Sequence, residues 1–130
     1  MTPLVESHIN VQRKANQQLI EENPVVITIK RTAFVQNASG GRDEQVSVLP
    51  PFRGRIVPAK QQVRKIADEA GIALTSAWLL IAPWNADIRA SSETSDTFQT
   101  SGKEYRVTRV VPRKFAGLTY SIHAILEEVS

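Results

Sequence analysis

A chain of 130 residues, 42% hydrophobic and 22% charged, has the size and balance of one ordinary globular domain, with room for one core but not two. No apolar run approaches bilayer length, the longest being Ala77–Pro83. Met1–Asn10 lacks the basic-then-apolar pattern of a secretory signal, and the absence of cysteine excludes disulfides, thiolate metal sites and cysteine nucleophiles.

The net charge of +3 is too small to argue by itself for a nucleic-acid partner. The first element, Ser7 to Asn23, reads as a helix. Ser7 can cap its start, and Val11, Ala15 and Leu19 form one narrow stripe. Asn23-Pro24 ends it, because proline disfavours a helical residue before it. Its other face is very polar, so residues 1–23 read as a helical extension that gains little from the core of the 24–130 body. Val25 to Val35 alternates as a strand, broken only by Arg31. Gln36 to Gln45 reads as a loop: Asn37, Ser39, Gly40, Gly41 and Asp43 favour turns, and Arg42 and Glu44 are charged. Val46 to Pro58 is extended, but Pro50, Pro51 and Pro58 restrict it to an edge or bent strand.

Lys60 to Ala70 carries the helical stripe Val63, Ile66, Ala67 and Ala70, with Gly71 at the C-terminal glycine position. Ser76 to Trp84 reads as a strand that is apolar on both faces. Leu79, Ile81 and Pro83 point one way and Trp78, Leu80, Ala82 and Trp84 the other. Its second face needs a cover, either the short helix or a neighbouring subunit, for which Trp78, Leu80 and Trp84 are the candidate interface. Ala86 to Ser95 reads as a loop, and Thr97–Thr100, Ser101-Gly102 and Lys103–Val111 as a hairpin. Pro112 to Gly117 reads as a turn and Leu118 to Val129 as a final strand. The expected fold class is α+β, mainly β: a small antiparallel β-barrel with an N-terminal helix and one short helix between strands, forming a single domain.

Nothing in the sequence assembles into chemistry. His8 and His123 have no second ligand at metal-site spacing. Asp68-Glu69 and Glu127-Glu128 lack the apolar setting that would raise a carboxyl pKa for acid–base work. Gly40-Gly41 lacks the lysine and the strand-to-helix context of a phosphate loop, and no serine sits in a nucleophile elbow. The expectation is a non-enzymatic protein with no catalytic residue, no metal and no cofactor. Lys103, Arg106, Arg109, Arg113 and Lys114 crowd into twelve positions against the single acid Glu104. Arg106, Arg109, Arg113 and Lys114 are the candidate electrostatic docking surface, facing acidic protein or phosphate. An OB-type nucleic-acid barrel is one alternative, with Tyr105 and Phe115 flanking the basic cluster, although Tyr105 alternates with Val107 and looks core-facing.

The runs Trp78-Leu79-Leu80-Ile81, Ala86-Asp87-Ile88, Asp96-Thr97-Phe98, Gly102-Lys103-Glu104-Tyr105-Arg106-Val107, Val110-Val111-Pro112-Arg113 and Ile125-Leu126-Glu127-Glu128 together resemble the head-closure, or stopper, proteins of tailed phages and prophages. The resemblance covers the last third to half of the chain. It implies a virion protein, assembled in the bacterial host cytoplasm, that forms a ring, typically dodecameric, beneath the portal and adaptor proteins. Such a ring extends the channel for packaged double-stranded DNA without reading its sequence, holds the DNA, and offers a platform to the tail terminator or tail, with no membrane partner. A related ring component, adaptor or tail terminator, is the nearest alternative. The resemblance also implies a long barrel loop able to close the channel. By composition and length that loop is Gln36–Gln45, with Asn37, Ser39, Gly40, Gly41, Arg42, Asp43 and Glu44 as candidate gating residues and Ala86–Ser95 as the rival.

Overall fold

The computed structural model describes residues 3–58 and 77–129. Helix α1 (Pro3–Glu21) precedes β1 (Val25–Ile27), β2 (Lys30–Gln36), β3 (Arg42–Val48) and β4 (Phe52–Pro58). There follow β5 (Ala77–Pro83), β6 (Thr94–Thr100), β7 (Lys103–Phe115) and β8 (Leu118–Val129). All pairings between these strands are antiparallel, in the order β1-β4-β5-β8-β7-β6-β2-β3. β1 and β2 are one run of chain interrupted only at Thr28 and Ile29, yet β1 borders β4 and β2 borders β6. Continuous backbone therefore joins the two sides of the sheet, which curls into a small barrel. The fold is α+β and mainly β. The expected short helix Lys60–Ala70 lies outside the described residues.

Strand alternation sends Ile27, Ile29, Leu80, Ala82, Phe98, Tyr105, Val107, Ile122, Ala124 and Leu126 into the barrel. The Phe98 and Tyr105 rings stack at 5.5 Å, and Trp78 meets Tyr105 edge-on at 6.3 Å. Gly54 stands where β4 passes from β1 to β5. A Cβ there would lie 2.8 Å from Leu80 Cδ1 and 3.1 Å from the Ile81 carbonyl, so this close approach requires glycine.

Helix α1 packs on the outer face of β4, β5 and β8. Its buried residues are Ile9, Asn16 and Ile20, not the expected stripe: Val11 is 65% exposed and Leu19 39%. The expected stripe counted only apolar residues, whereas the docked face is centred on a polar one. Asn16 Nδ2 donates to the Ala82 carbonyl, and Asn16 Oδ1 accepts from Ser121 Oγ. At about 100° per residue, the exposed row Leu4, Val11 and Leu19 lies roughly a third of a turn from the buried row. The C-terminal carbonyls of α1 are met from outside: Arg55 Nη1 donates to the Leu19 carbonyl and to Glu22, while Arg53 pairs with Glu21. The helix is thus docked on the barrel rather than being an appendage. Ser121, His123 and Ile125 of β8 share a face with Pro83, Ile81 and Leu79 of β5. The Ser121 bond to Asn16 therefore puts α1 over the Leu79, Ile81 and Pro83 face of β5, while the Trp78 and Leu80 face, for which the short helix or a neighbouring subunit is the expected cover, turns towards the barrel core instead.

Two hairpins differ from expectation. β7 does not turn at Pro112 but runs on to Phe115, and the turn is Ala116-Gly117, with φ of 52° and 80°. Beyond Arg106, no described strand pairs with the other edge of β7, so the N–H that Pro112 lacks costs no ladder bond there. Likewise Gln36–Gln45 is no long loop. β2 and β3 pair from Lys30↔Val48 to Gln36↔Arg42, leaving only the turn residues Asn37 to Gly41. Asn37 Oδ1 closes that turn by accepting from the N–H groups of Ser39 and Gly41, and Gly40 takes a φ of 83°.

Candidate functional site

β2 and β7 both run antiparallel to β6, so they run in the same direction. The tips of the β2–β3 and β7–β8 hairpins therefore leave the same end of the barrel. β6 lies between them, and its partners stop at Ala33 on one side and Arg106 on the other. The β2–β3 hairpin thus rises beyond β6 as an arm, whereas β8 stays paired with β5 as far as Ser121, opposite Arg113, so only the last residues of the β7–β8 hairpin pass the strands that flank it. β5 ends and β4 begins at this end too, where an open cleft is lined by Ile29, Leu49, Pro50, Pro51, Phe52 and Pro83. The whole length of β3 is exposed, including Val46 and Val48 at 54% and 69%. It is the terminal strand of the sheet order, with one described partner, β2.

The root of the β2–β3 arm holds an ion cluster that sequence reasoning missed. Arg31 and Asp96 are buried, the latter completely. Arg31 Nε and Nη2 donate to the Asp96 carboxylate at 2.8 and 2.9 Å, and Nη1 and Nη2 donate to Asp87 at 3.1 and 3.0 Å. The Arg89 backbone N–H completes Asp96 at 2.7 Å. The hydrogen bond to Asp96 raises the Arg31 pKa further above its already high value. The bond from Arg31 holds Asp87 below the usual carboxylate range. The sequence carried one sign of this cluster, Arg31 breaking an otherwise apolar strand face. The cluster ties β2 to β6 and to the segment between β5 and β6, whose Glu93 carbonyl also accepts a hydrogen bond from the Phe34 N–H.

The candidate gating residues divide. Asn37, Ser39, Gly40 and Gly41 form the turn, while Arg42, Asp43 and Glu44 belong to β3 and are held by cross-strand pairing. They therefore cannot swing as parts of a loop. Asp43 also accepts from Asn37 Nδ2. The candidate interface divides as well. Leu80 is fully buried in the barrel core, which removes it from any interface, because its position in β5 points inward. Trp78 is half-buried against that core, with the Lys103 ammonium 5.8 Å from its ring. Trp84 lies beyond β5 and is 43% exposed, its ring covered on one side by the Arg13 guanidinium at 3.8 Å.

The basic cluster separates into paired and unpaired parts. Arg106 bonds Glu127 at 2.6 Å, and Lys103 lies 3.7 Å from Glu128. Glu127 and Glu128 thus serve as partners across the β7–β8 ladder. Arg109, Arg113 and Lys114 are exposed on β7 and make no ion pair among the described residues. Tyr105 is buried and Phe115 stacks on His8 at 5.8 Å, so neither offers a free platform for a base. His123 lies on the helix-covered face. Burial, with Arg113 adding to it, lowers its pKa to about 4, so it is neutral at physiological pH. Among the described residues, no group of three or more His, Asp or Glu could hold a metal ion, and no helix is long and apolar enough to cross a membrane. Asp68-Glu69 lies outside the described residues. A scan against models of known protein families finds no match, and a search of curated proteins finds no significant relative.

Proposed function

We propose that this chain is a structural subunit of a ring at the head–tail junction of a tailed phage, a head-closure protein that extends and closes the DNA channel below the portal and adaptor and docks the tail. The observation that carries the reading is the β2–β3 arm, edged by a fully exposed strand, which leaves the same end of a small barrel as the tip of the β7–β8 hairpin. A two-stranded ribbon standing clear of its sheet gains little from its own core. Arms of this kind suit contacts with other subunits. The exposed helical row Leu4, Val11 and Leu19 offers a further such surface. In this reading the gate is the tip of the β2–β3 arm, Asn37 to Gly41, converging on the ring axis. The ring lets DNA slide, so it does not grip phosphates tightly. Each phosphate neutralised would add steep salt dependence to DNA passage.

The test is electron microscopy of the purified protein mixed with portal–adaptor complexes. Added ring density directly below the adaptor is the expected result. A ring at the distal end of tail tubes would identify a tail terminator instead, and bare portal–adaptor complexes beside free monomer would refute the proposal. Gating is tested by shortening the turn between Asn37 and Gly41, which spares the β2–β3 register. Particles that contain the shortened ring are expected to leak DNA, and full retention would remove this hairpin as the gate.

A further inference from the structure

The strand edges left unpaired among the described residues differ in how they are protected. β1 is three residues long. β7 beyond Arg106 carries Pro112 and register shifts at Val107/Arg109 and Arg113/Lys114. A short strand, a proline and bulges are the usual means of keeping an edge from pairing with another chain. β3 has none of them. It is seven residues long, holds an unbroken register with β2, contains no proline and exposes every residue. The hydrogen bonds fix which of its backbone groups point outward. The Leu49 N–H donates to the Ile29 carbonyl and the Asn37 N–H to the Gly41 carbonyl, both in the β2–β3 register. Hydrogen-bonded pairs alternate along an antiparallel ladder, so Asp43, Gln45 and Ser47 turn their N–H and C=O groups to β2. Arg42, Glu44, Val46 and Val48 turn theirs to the open edge. The side chains of these four share the Phe34 face, where both valines are exposed. Lys30 and Arg42 balance Asp43 and Glu44, so the ribbon is close to neutral and does not repel its own copy.

We propose that β3 pairs with β3 of a second copy of this chain, antiparallel about a two-fold axis at Gln45. In this register Arg42 faces Val48 of the second copy, Asp43 faces Ser47, Glu44 faces Val46, and Gln45 faces Gln45. All seven residues of the strand pair, and the hydrogen-bonded pairs fall on Arg42 with Val48 and Glu44 with Val46, whose backbone groups are the free ones. No charge lies directly across from its like, as it would with the axis at Asp43 or Glu44. An axis at Val46 or Ser47 would bring Pro50 into the ladder, where it has no N–H to give. The product is a four-stranded antiparallel layer, β2 and β3 of one copy continued by β3 and β2 of the other. A two-stranded ribbon is marginal by itself, whereas three or more strands with a shared apolar surface are not. Phe34, Val46 and Val48 of both copies line one face of that layer. The pair closes on itself and builds no ring, so it goes beyond the ring reading and does not rest on it.

Sedimentation of the full wild-type chain over rising concentration is expected to show a monomer–dimer equilibrium. Val46→Pro removes an N–H that points to the open edge and none from the β2–β3 ladder. It is expected to keep the circular dichroism and the unfolding midpoint of the wild type while raising the dimer dissociation constant about tenfold or more. Val48→Lys leaves the backbone alone and sets a cation opposite Arg42 of the second copy. It is expected to weaken the dimer, and adding Arg42→Glu to the same chain is expected to restore it. This pair carries the test should Val46→Pro perturb the hairpin. The absence of cysteine lets disulfides read the register. Non-hydrogen-bonded antiparallel pairs bring Cα atoms to about 4.5 Å, within disulfide reach. Under mild oxidation Gln45→Cys is expected to form linked dimers by itself, whereas Asp43→Cys and Ser47→Cys are expected to link to each other and little alone. A wild-type chain that stays monomeric at millimolar concentration would overturn the pairing. So would a dimer indifferent to both Val46→Pro and Val48→Lys, or Gln45→Cys linking no better than Asp43→Cys alone. None of these outcomes alters what is seen on portal–adaptor complexes, so this pairing and the ring reading fail separately.

Discussion

Replacing Asp96 with alanine is expected to be among the most damaging single changes available in this chain. Asp96 is fully buried and its carboxylate accepts three bonds, from Arg31 Nε at 2.8 Å, Arg31 Nη2 at 2.9 Å and the Arg89 N–H at 2.7 Å. Removing it leaves the buried Arg31 charge with Asp87 alone, whose side chain is 55% exposed. Breaking one partner of a buried pair costs about 3–5 kcal/mol, mainly because the remaining charge stays desolvated. That is a large share of the roughly 5–15 kcal/mol that holds a domain together. The double variant Arg31→Met, Asp96→Leu removes both charges and fills the space. It is expected to cost only about 1–2 kcal/mol, most of it from the Arg89 N–H left without an acceptor. Urea unfolding followed by the fluorescence of Trp78 and Trp84, with circular dichroism as a second probe, measures both. The reasoning fails if Asp96→Ala costs under 1 kcal/mol, or if the double variant is no more stable than Asp96→Ala.

Three further outcomes follow from the geometry. Gly54→Ala places a Cβ 2.8 Å from Leu80 Cδ1 and 3.1 Å from the Ile81 carbonyl, and is expected to lower unfolding free energy by about 1–3 kcal/mol in the same assay. Ala116→Asn is expected to raise it by up to about 1 kcal/mol, because Ala116 sits at a φ of 52° in a two-residue hairpin turn that favours Asn-Gly; an unchanged or lowered midpoint counts against this. His123 has its pKa lowered to about 4 by burial, with Arg113 contributing, so the unfolded chain binds the proton more readily than the folded one. Stability from this group is therefore full above about pH 6.5 and declines as pH falls towards about 4, by roughly 2 kcal/mol at most after solvent screening. His123→Gln is expected to flatten the stability profile over that window, and an unaltered slope would assign the acid sensitivity elsewhere.

The elements that sequence reading located well are those whose apolar spacing is local. β8 was legible from Leu118, Tyr120, Ile122, Ala124 and Leu126, and the turn at Ser101-Gly102 from its composition. Ser101 and Gly102 both take positive φ, as such a turn requires. β3 was not legible. Its sequence, Arg42 to Val48, has no buried face to impose a period of two, and every residue in it is exposed. What makes it a strand is the β2 backbone beside it and the Asn37 side chain that closes the turn. The docked face of α1 was misread for a related reason: Asn16 is buried by partners in β5 and β8, which no local count of apolar residues can weigh. Within the candidate interface, the spacing correctly marked β5 as apolar on both faces. It could not separate Leu80, which the barrel encloses, from Trp84, which lies past the end of the strand.

The position of the Arg31 cluster sets the stiffness of the β2–β3 arm. Arg31 pairs across from Asp96 in the β2–β6 ladder, two residues before that ladder ends at Ala33. From Phe34 onward, β2 has only β3 as a strand partner, and the arm stands clear. A buried bidentate ion pair at this point resists rotation of β2 relative to β6, because its bonds are directional and expensive to break. The tip beyond it carries few apolar contacts and is held mostly by exposed backbone bonds, which places it at the low end of local stability. The arm is thus stiff at its base and adaptable at its end. In the proposed ring, such a hairpin would have its direction fixed by its own subunit, while its last residues would settle against what they touch. Asp87 extends the same clamp to the segment that follows β5, so the direction of the arm and the shape of the barrel mouth are set by one group of side chains.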